Sequence, residues 1–262
     1  MKTKGIFFMM LIVFAQAVFW QGCSGKYAEP DSSIKNFKSD ESNKNENFLD
    51  KGEDDMSMNG MDEKKPILTY LGHASVKLKT SNGTVIYIDP FAGTDYSEPA
   101  DILLVTHSHS DHDAVDKVTL KDNGTLITHK EALKDGKYQS FNVHNIKISA
   151  TPAYNKNHPK DSCVGFILEF EGIKLYHAGD TSNIPEMEEL SGQNITYAML
   201  PMDGVYNMGP NEASEAAKRI NAKHNIPIHT GPNGIYSEKN ISNFKAENKL
   251  VLKPGDKIEL EK

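Results

Sequence analysis

The chain has 262 residues and a formal net charge of −7, from 29 basic and 36 acidic side chains. That balance argues against a nucleic-acid partner, which calls for a basic patch, and against a polybasic grip on anionic lipid. About 200 residues, from Lys65 to Lys262, have the composition of one folded domain.

The chain opens with two lysines in Met1-Lys2-Thr3-Lys4. Ile6 to Trp20 is then apolar, interrupted only by Gln16. A membrane-spanning helix needs roughly 20 apolar residues, so this shorter run reads as an export signal. It ends in Trp20-Gln21-Gly22-Cys23-Ser24, which resembles the lipobox of bacterial lipoproteins. Gly22 and Cys23 fit that pattern, while Trp20 stands where an aliphatic residue is usual. The resemblance implies a signal over residues 1–23, lipid on Cys23, and an exported, membrane-anchored protein. Cys163 is then left without a partner, and no disulfide is expected. Cys163 is expected to be a small buried residue. Residues 24–64 are mostly Lys, Asp, Glu, Asn and Ser. Such a segment cannot bury enough surface to offset its ordering entropy, and a disordered tether is expected there.

Strand-like runs open the domain at Pro66 to Leu71, Ala74 to Thr80 and Thr84 to Asp89, with Ser81-Asn82-Gly83 as a turn. Asp101 to Thr106 reads as a buried strand. Further strands are expected at Asn145 to Ala150, Val164 to Phe170 and Ile173 to His177, with Glu171-Gly172 turning between the last two. Asn211 to Ala222 carries strong helix formers, and a strand is expected at Ile226 to His229. Leu250 to Leu252, Pro254-Gly255 and Ile258 to Leu260 read as a terminal hairpin. No internal repeat is visible. Sheets covered by helices are expected.

Thr106-His107-Ser108-His109-Ser110-Asp111-His112 follows the buried strand directly. His107 and His109 are two apart, so an extended segment points them to one side. Two converging imidazoles suit a borderline metal such as zinc. Asp111 and His112 come just after and can turn to a second point. A satisfied core histidine usually stands alone, so this cluster reads as metal-binding.

The same stretch resembles the His-x-His-x-Asp-His signature of the metallo-β-lactamase superfamily. Leu71-Gly72-His73-Ala74-Ser75 and Ile88-Asp89-Pro90-Phe91 are similar to the opening strands of its branch containing ascorbate-6-phosphate lactonases and related uncharacterised hydrolases. Ala178-Gly179-Asp180-Thr181, Gly204 to Pro210 and Ile226-Pro227-Ile228-His229 follow in the family's order, so the resemblance covers nearly all of residues 65–262. It implies an α+β fold, the four-layer αββα sandwich. It also implies two divalent metal ions, zinc first, with manganese as the alternative. One ion would take His107 and His109, the other Asp111, His112 and His229, with Asp180 bridging them. The family's third histidine on the first ion usually follows a Pro-Ala pair by two residues. Here Pro152-Ala153-Tyr154-Asn155 puts asparagine there, and His158 follows in Asn157-His158-Pro159. His158 is taken as the ligand, with Asn155 as its substitute or support.

The implied activity is hydrolysis of an ester, lactone or phosphodiester bond in a small molecule or lipid, by a hydroxide shared between the ions, with Asp111 shuttling the proton. His73 and Tyr206 are candidates for substrate contact, and His177 for support of a ligand. His129, His144 and His224 match no motif. Asp180 disfavours a true β-lactamase, since those enzymes generally lack this aspartate. The competing class is a non-catalytic lipoprotein that binds metal or ligand on the same fold. Oligomeric state is not legible.

Overall fold

The computed structural model describes residues 64–262. The expected signal over 1–23, with Cys23, and the expected tether up to residue 63 lie outside the described residues.

The first half of the domain supplies β1 (Ile67–Gly72), β2 (Ser75–Lys79), β3 (Val85–Ile88), β4 (Ala100–Val105) and β5 (Leu120–Thr128). After α1 (His129–Ala132), β6 (Leu133–Lys134) and β7 (Lys137–Tyr138) form a small separate hairpin. The second half supplies β8 (Ser140–Val143), β9 (Ile146–Pro152), β10 (Val164–Phe170), β11 (Ile173–His177), β12 (Tyr197–Pro201) and β13 (His224–Ile228). Helices α2 (Pro210–Ile220) and α3 (Glu238–Asn243) lie in this half, and β14 (Lys257–Glu259) closes the chain.

Two six-stranded sheets result, in the orders β14-β1-β2-β3-β4-β5 and β13-β12-β11-β10-β9-β8. Strands β1 to β3 are antiparallel, and β4 and β5 then run parallel to β3. Strands β9 to β11 are antiparallel, and β12 and β13 then run parallel to β11. The backbone thus repeats one topology where the sequence shows no repeat.

The period of two along each strand builds the layers. On β10, Val164, Phe166, Leu168 and Phe170 enter the core between the sheets, where Leu68, Val76, Ile86 and Leu104 of the first sheet meet them. Ile167 points the other way, toward a second core under α2. That helix buries Ala213, Ala216, Ala217 and Ile220, a stripe at helical spacing. Pro210 starts it, and Asn221 ends it in the left-handed conformation. The outer face of the first sheet is covered by Tyr96, Val118 and Leu120 from loops and a strand start, so this fourth layer is thin.

Two expectations are corrected. Leu250 to Leu252 does not form a terminal hairpin. Its neighbour Lys249 bridges Asn225, while β14 pairs with β1. Strand β5 (Leu120–Thr128) was not among the expected strands, and it holds the polar run Lys121-Asp122-Asn123-Gly124. Those residues bulge out where its ladder with β4 shifts register, and Thr125 to Thr128 resume the pairing.

Candidate metal centre

The parallel strands end together, and the polar residues that follow them meet there. Asp89 follows β3, His107 follows β4, Asp180 follows β11 within three residues, and His229 follows β13. This is where open sheets with parallel strands place their sites. His73, Asp89 and His229 have positive φ of 54°, 48° and 43°. Such backbone is costly for non-glycine residues and is held only where surrounding bonds over-determine it. Here Tyr70 Oη and the His229 amide both donate to the His73 carbonyl, at 2.9 and 2.7 Å. Gly179 has φ 62°, and a Cβ there would stand 2.5 Å from the Val164 carbonyl oxygen. Only glycine lets the chain turn Asp180 into the centre.

The cluster after β4 divides as its spacing suggests. Ligand atoms of His107, His109 and His158 lie within 4.8 Å of one another, and so do those of His73, Asp111, His112 and His229. Between these points the chain turns, with the His112 amide donating to the His109 carbonyl at 2.9 Å. Asp180 stands between the two groups. Its carboxylate oxygens are 4.0 Å from His107 Nε2, 3.4 Å from His112 Nε2, 3.3 Å from His158 Nε2 and 3.6 Å from His229 Nε2. His158 Nε2 is also 3.1 Å from His109 Nδ1.

Behind these atoms stands a layer of fixing bonds. His112 Nδ1 donates to Asp89 at 2.8 Å, and Asp89 also accepts from the Thr106 amide and hydroxyl, each at 2.7 Å. His107 Nδ1 lies 3.0 Å from the Thr106 hydroxyl. His229 Nδ1 lies 3.2 Å from buried Asp203, a charge contact without hydrogen-bond geometry. His158 Nδ1 donates to Asn155 Oδ1 at 3.0 Å, so Asn155 stands behind His158. These partners set which ring nitrogen faces inward.

Asp203 follows β12 and was not singled out in the sequence. A lone aspartate after an apolar strand has no signal of its own. His73 does not line the cavity. Its side chain is buried beneath Asp111, with Nε2 3.1 Å from Oδ2 and its ring 3.6 Å from that of His229. His177 holds backbone instead of a ligand. Its Nε2 donates to the Ala74 carbonyl at 2.9 Å, and its Nδ1 accepts from the Gly179 amide at 3.3 Å. Cys163 is buried with its thiol on the Asp180 carbonyl, and burial holds its pKa well above the usual thiol range.

The electrostatics favour a cation. Burial pushes His107 down to about 3 and His229 down to about 4, with neighbouring histidines adding to it. Burial also lowers His158. For His112 burial pulls downward, but Asp180 and Asp89 outweigh it and raise the pKa to about 9. Burial alone would raise Asp180 and Asp111. The histidines around Asp180, and His73 and His112 beside Asp111, hold both well below the usual carboxylate range. The lone pairs of His107, His158 and His229 and the ionised carboxylates therefore converge, and His112 must give up its proton to join them. His107 Nε2, His112 Nε2, His229 Nε2 and Asp180 Oδ1 are buried with no hydrogen-bond partner. Buried polar atoms are normally paired, and a divalent cation fits this donor set. A cavity of about 470 Å³ opens over the centre, lined by His109, Asp111, His158, Asp180 and His229 and by Tyr206 from the expected list.

Residues 67–229 match the profile of the beta-lactamase superfamily domain. A UPF0173 metal-dependent hydrolase of Thermococcus onnurineus is 32% identical over 225 residues, covering 73% of this chain and 98% of the relative. One from Geobacillus is 31% identical, covering 74% and 99%. The crystal structure of a metal-dependent hydrolase from Parabacteroides distasonis is 30% identical, with TM-score 0.59, covering 71% of this chain and 90% of that one. Igni18, a metallo hydrolase of Ignicoccus hospitalis, is 23% identical with TM-score 0.58, covering 75% and 99%, and shares the fold. The chain belongs to the metallo-β-lactamase superfamily and is one of its metal-dependent hydrolases.

Proposed function

We propose that this chain holds two divalent cations and hydrolyses an ester, lactone or phosphodiester bond in a small molecule or lipid. One observation carries the reading: the inward, partnerless nitrogens of His107, His112 and His229 converge on both sides of Asp180. His107, His109 and His158 would hold one ion, and Asp111, His112 and His229 the other, with Asp180 between them. Nitrogen-rich donors suit zinc, and manganese is the alternative. When bound, such ions lower the pKa of water from about 15.7 toward 7 and polarise the oxygen under attack.

The chain's own residues do the rest. Asp111 is the carboxylate of the set that is partly open to the cavity, its side chain 33% exposed. It is held ionised, so it can take the proton of the attacking water. Water's oxygen bonds to the carbonyl carbon or phosphorus, the bond to the leaving oxygen breaks, and Asp111 returns the proton to that oxygen. His73 Nε2 fixes the Asp111 carboxylate for this work. Tyr206 stands at the cavity wall, where it can touch substrate.

The test is metal content by mass spectrometry on the full chain, beside turnover of ester, lactone and phosphodiester substrates. Two equivalents, with turnover lost on chelation and restored by zinc or manganese, are expected. One equivalent or none, or turnover untouched by complete metal removal, overturns the reading. We also propose that the protein is exported and held to a bacterial membrane by lipid on Cys23, with 24–64 as spacer. Cys23→Ser should then move it from the membrane to the soluble fraction. Unchanged membrane retention would count against lipid as the anchor.

A further inference from the structure

The cavity over the centre continues into an apolar rim. Beyond the candidate ligands, Phe91, Tyr206, Asn157 and Asn233 form its wall. The segments that carry this wall also carry Val205, next in the chain to Tyr206, and Ile235, two residues from Asn233. They are the two most exposed large apolar side chains among the described residues, at 51% and 61%. Tyr206 itself is 43% exposed. Exposed apolar groups on the segments that line a site mark a surface that a ligand can cover.

The rim is built, not loose. Buried Asp203 accepts from the Val205 and Tyr206 amides at 2.7 and 2.6 Å. The side-chain amides of Asn155 and Asn157 both donate to the Tyr206 carbonyl at 3.0 Å. On the other side, Gly234 lies against the Phe91 ring, so closely that a Cβ there would come within 3.3 Å of it. A preformed surface loses little entropy when it is covered.

The wall also lacks positive charge. No lysine or arginine lines the cavity, and its polar groups outside the ligand set are amides, a serine hydroxyl and a phenol. Lys117 stands outside this lining, its ammonium donating to the Phe91 carbonyl. The lining itself offers an anionic group far from the scissile bond no lysine or arginine.

Resting on the hydrolase reading above, we infer that the substrate has an uncharged, apolar body. It is an ester or lactone with an alkyl or aryl chain lying against Phe91, Val205, Tyr206 and Ile235. A sugar phosphate or other substrate with a remote anion does not fit.

The test compares p-nitrophenyl acetate, butyrate and hexanoate, and an acetate ester carrying a remote phosphate, on the full-length, metal-loaded chain. For the unmodified chain kcat/KM should rise about tenfold from acetyl to hexanoyl, as partial burial of four methylenes predicts. In the Val205→Ser, Ile235→Ser double variant the hexanoyl-to-acetyl ratio should fall toward one. A ratio near one in the unmodified chain, a ratio that survives the double variant, or preference for the phosphorylated ester overturns the inference. Calorimetric binding of hexanoate against acetate is read in parallel. Should no ester be turned over, only the ester part of the hydrolase reading falls. Tighter hexanoate binding that the double variant abolishes then still supports the apolar seat, and equal binding of the two acids refutes it.

Discussion

The two histidine groups sit on either side of one aspartate, yet they are built differently. In the group of His73, Asp111, His112 and His229 the three histidines are buried. His112 rests on Asp89 and His229 faces Asp203, each a carboxylate at the end of a parallel strand. In the group of His107, His109 and His158, His109 is exposed, and His158 is carried by a loop and supported by the neutral amide of Asn155. A carboxylate behind a histidine raises its basicity and fixes its ring, while an amide fixes the ring with less charge. The difference teaches that the first group is pre-organised by the sheets, and the second is completed at the cavity mouth. If each group holds an ion as proposed, one should be held tightly and the other exchange more readily.

The largest expected effect removes the distinction altogether. Asp180→Ala takes away the carboxylate within 4.0 Å of His107, His112, His158 and His229. Both equivalents should bind more weakly, and turnover should fall by about 10³-fold or more, the worth of several kcal/mol of lost charge stabilisation. Two tightly held equivalents in this variant would show that Asp180 does not join the groups.

A paired experiment then sharpens the comparison. His158→Ala removes a donor from the open group, and that variant should retain about one equivalent of metal. Asp203→Ala leaves every proposed ligand in place but removes the carboxylate facing His229. It should weaken the other, tighter ion by about 10- to 100-fold. It should also release the Val205 and Tyr206 amides and so raise KM for apolar esters. Equal loss from both ions in each variant would mean that the groups are one unit.

Asp203 also shows where the sequence stops being legible. His107 to His112 could be read because ligands two residues apart on an extended segment share a side, and that needs only local geometry. The break between Ile173 to His177 and the preceding strand was readable for the same reason. Glu171-Gly172 adopts φ of 48° and 78°, as a tight hairpin turn demands. Asp203 acts through a neighbour 26 positions away, and only the parallel pairing of β12 with β13 brings it to His229. His73 failed differently. Its motif lies near the cavity in sequence order, but the turn after β1 tucks the ring beneath Asp111. The terminal hairpin failed because Leu250 to Leu252 has strand-like residues, whereas the edge free to pair with β14 belonged to β1. Local pattern carried the first cases, and tertiary partners decided the others.

The smallest effect concerns protons in the metal-free chain. His107 and His229 are held near about 3 and about 4 when folded, against about 6.5 when unfolded. The unfolded chain therefore binds more protons than the folded one below that value. Their contribution to stability is complete above pH about 6.5 and is lost as pH falls toward about 4. His112 runs the other way, since its folded pKa is raised to about 9. What it contributes is present below pH about 6.5 and is lost as pH rises through about 9. His158 and His177, which burial also lowers, act on the acid side with His107 and His229, while His112 acts on the alkaline side. The melting temperature of the stripped chain should thus fall more steeply from pH 6.5 to 4.5 than from 6.5 to 8.5. Each kcal/mol lost corresponds to about 2–4 °C. Replacing His112 by Asn should remove the alkaline decline and leave the acid one. A bound ion must displace the proton that His112 holds across this range. The gap in melting temperature between loaded and stripped chain should therefore shrink as pH falls from 7 to 5. A gap independent of pH would mean that the bound ion does not displace the His112 proton.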